Sequence, residues 1–351
     1  MKARYYTTVE LAKKIGVSRQ VISAILNENW KEKRISEATY ERVQVAIKEL
    51  GYVPDKTAIA LKKSPKNVTG IIYHGPLHSH ILIAIQKLTH HFHNNNISVK
   101  IVISRENGLK DAIQDLMGYR VQKIVILLSS LIEDFSKSDL EKKSMYPFFN
   151  AIPIIIYNFP FHIHEEKLEK VLTHSGCQLV GFSRPNIYKK LLEELLSKGK
   201  KRLLIDQKII QYLEQNKVNH RLLKQFKSVR SFPSKKFKNI DQNRYLVGEN
   251  LASTVLKLLK KESSDTIITD SDMIAQGLAN RLLANGIEVP QKIQIIGFDN
   301  IDALPFFSIP LPSIEVPVKQ MIKTVIDLLQ KNSPHGQAFQ ARAKLKFSST
   351  Y

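Results

Sequence analysis

Apolar residues recur at helical spacing through the first fifty positions, then in strand-length runs from about residue 68. The first texture predicts three short helices. In TTVELAKKIGVSRQVISAILN, Thr7 to Asn27, Thr7 and Glu10 have capping-box spacing. Leu11, Ala12 and Ile15 share one helical face, and Gly16 suits a left-handed helix end. Ser18 caps a second helix, with Ile22, Ile25 and Leu26 inward and Arg19, Gln20, Ser23 and Ala24 outward. An apolar back and a short polar front suit the major groove of DNA. Ser36 caps a third helix, striped by Tyr40, Val43, Ile47 and Leu50 and ended by Gly51. Three such helices make a small core, marginal by itself. The connecting loop, Glu28 to Ile35, carries Trp30, Lys31, Lys33 and Arg34. It either grips phosphates or lays Trp30 over the core.

The second texture predicts strands at 68–73, 99–104, 123–128, 153–157, 202–206, 266–269 and 293–298. Helices are predicted at 80–93, 109–119, 186–197, 242–261 and 272–285, with another from Leu140 onward. Repeated βα units imply parallel sheets with helices on both faces. Roughly 280 residues exceed one such core, so two similar lobes are expected. Ligands of such folds sit at the carboxyl ends of strands, here in a cleft between lobes. Between the two textures, Pro54 to Pro65 forms a junction. Asp55 to Lys63 spans two helical turns, too short for a stable helix alone. It is a linker, or a helix that forms on DNA.

The chain has 351 residues, 43% of them hydrophobic. No apolar run reaches the ~18–20 residues of a membrane span, and MKARYYTTVE has no apolar signal region. The single Cys177 excludes an intrachain disulfide and a multi-Cys zinc site. A reduced cytoplasm is expected. The net charge of +21 favours nucleic acid or another polyanion. It spreads along the chain, because residues 1–63 hold only 13 Lys/Arg against 7 Asp/Glu. Runs such as Lys198 to Arg202 and Lys235 to Lys238 read as solvated faces. GxGxxG, P-loop, HExxH and GxSxG signatures are absent, so neither enzyme nor cofactor is expected. His90, His91 and His93 lie where a surface helix ends, and His162 and His164 lie in a loop. Neither group is assigned a metal.

The chain resembles the LacI/GalR family of bacterial transcription regulators. The match is carried by TTVELAKKIGVSRQVISAILN, ISEATYERVQVAIKELGYVPD and the junction KTAIALKK. Further on it is carried by TDSDMIAQGLANRLLANGIEVPQKIQIIGFDN and PSIEVPVKQMIKTVIDLL. It spans the whole chain and is strongest over 5–63 and 266–330. It implies an all-α helix-turn-helix DNA-binding domain at 1–54 and a hinge at 55–66. A two-lobed α/β periplasmic-binding-protein-like core follows at 67–351. Lobe one is expected at about 67–160 and 317–338, lobe two at about 161–316 and 339–351. The resemblance further implies a homodimer on near-palindromic double-stranded operator DNA, with a small effector in the cleft. Repression is the expected sign, since a protein seated on a promoter blocks it without further contacts. Nothing after Lys346 forms heptads, so dimers rather than coiled-coil tetramers are expected.

By the same resemblance, Arg19 and Gln20 match base-reading positions, and Ala24 matches a third that offers no polar group. Thr7, Thr8, Ser18, Ser23, Asn27 and Thr39 match positions that hold phosphates or fix register. Leu61 matches a minor-groove wedge, with Ala58 allowing close approach of two hinge segments. The inter-helix loop runs about three residues longer than in many members. For the effector, Asp272 and Asp299 match acidic positions near the cleft, each equally readable as a local cap. Asn158 and Phe159 stand where many members have Asp-Arg, and Asn186 where an Asp usually opens a helix. Arg221 is the nearest counterpart of a family Arg. These departures remove charged partners for sugar hydroxyls, so the effector is expected to be atypical or absent rather than a plain monosaccharide. An enzyme, or a soluble solute-binding protein of the same core fold, fits these features less well.

Overall fold

A computed structural model describes residues 6–50, 52, 68–74, 79–104, 108–128, 140, 145–161, 166–215, 217–233, 243–331 and 336–346. The chain divides into two compact units, Met1–Lys66 and Asn67–Tyr351.

The first unit holds α1 (Thr8–Ile15), α2 (Arg19–Leu26) and α3 (Glu37–Glu49). Their buried faces meet at Leu11, Ala12, Ile22, Ile25, Val43 and Tyr52. The caps form as their spacing requires. Thr7 Oγ1 accepts the Glu10 N–H while the Glu10 carboxylate accepts the Thr7 N–H, which satisfies two free donors reciprocally. Gly16 closes α1 at φ 75°. Ser18 and Ser36 cap α2 and α3.

The second unit contains two sheets. In chain order its elements begin β1 (Val68–His74), α4 (Ser79–Asn94), β2 (Ser98–Ser104), α5 (Leu109–Gly118), β3 (Lys123–Leu128), α6 (Tyr146–Ala151), β4 (Ile154–Pro160), α7 (Glu166–His174), β5 (Gln178–Phe182) and α8 (Arg184–Ser197). There follow β6 (Arg202–Asp206), α9 (Gln207–Gln215), α10 (Lys217–Leu223), β7 (Ser228–Phe232), α11 (Arg244–Lys261), β8 (Thr266–Ile268), α12 (Asp272–Ala284) and β9 (Gln294–Asp299). The unit ends with β10 (Ser313–Glu315), α13 (Val318–Gln330), β11 (Ala338–Ala341) and β12 (Lys344–Lys346). One sheet has the order β11-β5-β4-β3-β1-β2, and the other β12-β10-β9-β8-β6-β7. All pairings are parallel except β10 with β12.

This topology corrects the expected lobe boundary near residue 160. β5 pairs with β4 and β11 in the first sheet. The chain therefore first leaves that lobe between Phe182 and Arg184. It returns with α13 and β11, and leaves again between Ala341 and Lys344. The helix expected from Leu140 is described at Tyr146–Ala151. Strands β5, β7, β10, β11 and β12 and helices α7, α9, α10 and α13 lie where none was predicted.

Candidate nucleic-acid interface and inter-lobe site

The second helix presents its polar front. Ser18 Oγ accepts the Val21 N–H at 3.3 Å. Arg19, Gln20, Ser23 and Asn27 are exposed. The Asn27 amide donates to the Ser23 carbonyl at 2.7 Å and stands 3.3 Å from the Ser23 hydroxyl, which fixes both side chains at the end of α2. Ala24, expected outward, is buried at 7% exposure. The loop explains this, because the Asn29 N–H reaches back to the Ala24 carbonyl at 3.1 Å and covers that end of the helix. Thr7 serves the capping box. Thr8 Oγ1 lies 3.2 Å from the Tyr52 hydroxyl and Thr39 Oγ1 2.9 Å from Ser36 Oγ. Both are half-buried; the first contact ties α1 to the segment after α3, and the second belongs to the cap of α3.

The long loop decides between its two readings. Glu28 and Arg34 adopt left-handed φ of 61° and 54°, and the Ile35 N–H closes on the Trp30 carbonyl at 3.0 Å. Trp30 stacks on Tyr40 at 4.4 Å between centroids and packs against the three-helix core. It covers the core and is no free aromatic. Lys31, Lys33 and Arg34 remain exposed, with the Lys31 ammonium 5.3 Å from the indole. Ala58 and Leu61 lie outside the described residues, as do His162 and His164.

In the second unit two predicted residues meet. Asn158 ends β4's apolar run and Asp299 ends β9, and His80, at the start of α4, stands between them. His80 Nδ1 is 3.5 Å from Asp299 Oδ1, and Nε2 is 3.4 Å from Asn158 Nδ2. Asn158 also donates to the Leu128 carbonyl at 2.8 Å. Asn158 and Asp299 have φ of 63° and 101°, a region sparsely used outside glycine and frequent at ligand sites. Aromatic rings flank them. Phe182 and Tyr188 lie 6.3 and 6.2 Å from Phe298, and Arg184 lies 4.7 Å over Phe182. The buried hydroxyls of Tyr157 and Tyr188 are pushed above the ordinary phenol range, first by burial and then by neighbouring carboxylates including Asp299. Arg244 meets the buried Asp270 at 3.5 Å. Sequence reasoning did not single out His80, Tyr157, Arg184, Tyr188, Arg244 or Asp270.

The remaining predicted effector residues are not brought to this place. Asp272 is fully buried and serves as a tie. It accepts the Ser313 hydroxyl at 2.6 Å and the Ile301 N–H at 2.9 Å. Burial raises its carboxyl to about 7 against the lowering effect of those bonds. Phe159 packs edge-to-face on Phe161 in the cluster on the opposite face of the first sheet. The pairing of β4 with β5 shifts register between Tyr157 and Phe159, and this bulge turns Phe159 away. Gly181 accommodates it, since a Cβ there would collide with the Phe159 carbonyl oxygen. Asn186 is exposed and, with Lys190 and Arg342, lines a surface cavity of about 380 Å³ beside the crossover. Arg221 is exposed on α10.

His90 and His91 bond to Asn94 and Asn95 of their own helix end. Among the described residues no group of three His, Cys, Asp or Glu is placed to hold a metal ion. Nor is any helix among them long and apolar enough to cross a membrane. Cys177 is buried, and burial raises its thiol to about 12, so it is inert.

A three-helix unit with an exposed polar helix front, joined in one chain to a two-lobed α/β core, defines a DNA-binding regulator. Residues 7–55 match the family model for bacterial regulatory proteins of the lacI family, and residues 231–346 that for a periplasmic binding protein-like domain. The two matches together support a regulator of the LacI/GalR kind, which the chain resembles along its length. It is similar to the HTH-type transcriptional repressor PurR of Vibrio atlanticus (strain LGP32), 23% identical over 344 residues, covering 92% of this chain and 90% of the relative. It is also similar to the probable HTH-type transcriptional regulator EndR of Paenibacillus polymyxa, 20% identical and covering 94% and 93%. Among solved structures it shares its fold with the Lac repressor bound to ONPG in the repressed state. The TM-score is 0.68 at 18% identity, covering 98% of this chain and 99% of that one. The Lac repressor dimer bound to operator and the anti-inducer ONPF gives 0.65 at 17% identity, covering 97% and 98%.

Proposed function

We propose that this protein is a cytoplasmic, sequence-specific transcriptional repressor that binds a near-palindromic operator as a homodimer. The observation that carries this reading is the exposed pair Arg19–Gln20 at the N-terminal end of α2, beside the Ser18 cap. Arg matches guanine O6/N7 and Gln matches adenine N6/N7. Ser23, Asn27 and the exposed Lys31, Lys33 and Arg34 supply phosphate contacts that set register. In the junction, Leu61 from each subunit wedges into the minor groove, with Ala58 letting the two segments approach.

A second copy has a surface to meet. On the edge strand β2, Ile101 and Ile103 are 48% and 70% exposed, and Leu82 on α4 is 50% exposed. An apolar group of this kind on a folded unit favours association, and a closed two-fold pair matches a palindromic site. The inter-lobe site bounded by His80, Asn158 and Asp299 is the seat of control. Asn158 and Phe159 stand where a sugar site would have charged, bidentate partners for hydroxyls, so a plain pentose or hexose is not its ligand. Micromolar binding of such a sugar in a calorimetric titration would refute that statement.

The deciding experiment is a gel shift against the promoter DNA beside the protein's own coding region, at stepped salt. A saturable complex that resists nonspecific competitor and weakens steeply as salt rises supports the repressor. Binding no tighter than to unrelated duplex overturns it.

A further inference from the structure

The two lobes meet through groups of this chain. His80 belongs to the first lobe, and Asp299, at the carboxyl end of β9, to the second. Their facing atoms are 3.5 Å apart with side chains 8% and 11% exposed. The other face of the imidazole meets Asn158 at 3.4 Å. One tautomer serves both contacts. Asn158 holds one amide hydrogen on the Leu128 carbonyl at 2.8 Å and turns the other toward Nε2. Nδ1 then faces the Asp299 carboxylate at 3.5 Å, a close polar approach longer than a charge-assisted hydrogen bond. His80 and Asn158 together thereby link the ends of β3, β4 and β9, two strands of one lobe and one of the other.

The surroundings reinforce the tie. Phe182 from the first lobe packs on Phe298 from the second, and Tyr188 packs on the same ring. Their exposures are 0%, 5% and 4%, so this seam is dry. One continuous buried cluster runs from Ile71 and Val125 of the first sheet to Ile205, Ile268 and Ile296 of the second. Asp299 is also held in place from behind. The Asn300 N–H donates to Ser313 Oγ at 3.0 Å, that hydroxyl donates to Asp272 at 2.6 Å, and the Ile301 N–H donates to Asp272 at 2.9 Å.

We propose that His80 is an internal latch that holds the two lobes closed without a small molecule between them, so that closure is the default state of this core. The proposal rests on the reading of the His80–Asn158–Asp299 site as the seat of control. It makes residue 80, rather than an added ligand, the main determinant of lobe closure.

The test uses the full chain, dialysed exhaustively, with spin labels on Lys110→Cys in the first lobe and Lys292→Cys in the second. Both positions are exposed, and the buried Cys177 stays unlabelled. Pulsed dipolar spectroscopy of the latch-intact protein is expected to give one narrow, short inter-lobe distance. His80→Ala and Asp299→Asn should each raise the separated population on the order of tenfold, the scale of losing one partner of a buried polar pair. The two together should add little, since both break one contact. His80→Gln, which keeps a donor and an acceptor, should restore most of the short distance. Circular dichroism identifies a variant that does not fold, and Asp299→Asn and His80→Gln then decide the matter. A long or broad distance in the latch-intact protein overturns the proposal, as does a folded Asp299→Asn or His80→Ala variant with an unchanged distribution. Operator gel shifts on the same samples separate this outcome from failure of the DNA-binding reading, because lobe distance is measured without DNA.

Discussion

Replacing Asp272 by Asn tests how the loop that carries Asp299 is held. Asp272 opens α12 fully buried, with its two oxygens taking Ser313 Oγ at 2.6 Å and the Ile301 N–H at 2.9 Å. Burial moves its carboxyl from 3.8 to about 7. The folded state therefore binds this proton more tightly than the unfolded chain. The stabilising contribution is complete below about pH 4 and disappears as pH rises to about 7. A shift of that size corresponds to ~4 kcal/mol at most, taking 1.4 kcal/mol per pH unit. Asn keeps the volume, accepts from Ile301 through its oxygen and donates to Ser313 Oγ, with no charge to desolvate. Asp272→Asn should therefore sit close to wild type near pH 4 and gain on it by a few kcal/mol by pH 8. Asp272→Ala leaves the Ser313 and Ile301 donors unmatched, at ~1–3 kcal/mol each, and should be the less stable variant at pH 5. Urea titrations of the core transition at pH 4, 5 and 8 measure both effects. A constant difference between wild type and Asp272→Asn across that range would sink the argument. It would mean that the carboxylate is charged throughout.

Three further outcomes are expected. Arg19→Ala should weaken the best operator by ~1–3 kcal/mol and flatten preference at one base pair; an equal loss on every sequence in a competition assay makes Arg19 a phosphate contact only. Trp30→Ala, which removes the half-buried stack on Tyr40, should destabilise the first unit by ~2 kcal/mol. If thermal melting of that unit is unchanged while DNA affinity falls, the indole belongs to the interface instead. Leu61→Ala should abolish operator bending and weaken specific binding with the melting temperature unchanged, as an apolar wedge requires; a lower melting temperature with bending intact assigns Leu61 to the core.

The parts of the fold that sequence made legible are those set by neighbours along the chain. A hydroxyl three residues before a free N–H announces a helix start whatever lies beyond it, and Thr7, Ser18 and Ser36 all cap as expected. Central strands such as Lys123–Leu128 are apolar on both faces and stand out as runs. The strands that escaped are short or polar, such as Ser228–Phe232, Ala338–Ala341 and Lys344–Lys346. They are strands because a neighbour offers a ladder, not because of their composition. The lobe boundary was hidden for the same reason. Gln178–Phe182 joins the first sheet by pairing with Ile154–Pro160, and its other edge is covered by Ala338–Ala341, a partner more than 150 positions away.

The candidate site divides along the same line. Asn158 and Asp299 could be placed because strand ends can be counted. Phe159 could not, because strict alternation assigns it to the face of Tyr157. The bulge at Asn158 reverses that assignment, and it shows only in the register with β5. His80 was harder still. Its own segment offers an ordinary helix start, and its meaning comes from a carboxylate over two hundred residues further on. A carboxylate at a strand end is also readable as a cap, but Asp272 makes no cap hydrogen bond to its own helix and instead takes the Ser313 hydroxyl and the Ile301 N–H from a distant loop. At Asp299 the partner comes from the other lobe. The two residues look alike in sequence, yet one ties a loop within a lobe and the other meets a histidine across the cleft. The same residue type therefore holds a loop within one lobe in one place and reaches across to the other lobe in the other, and only the second contact would be lost if the lobes parted, as the latch proposal requires.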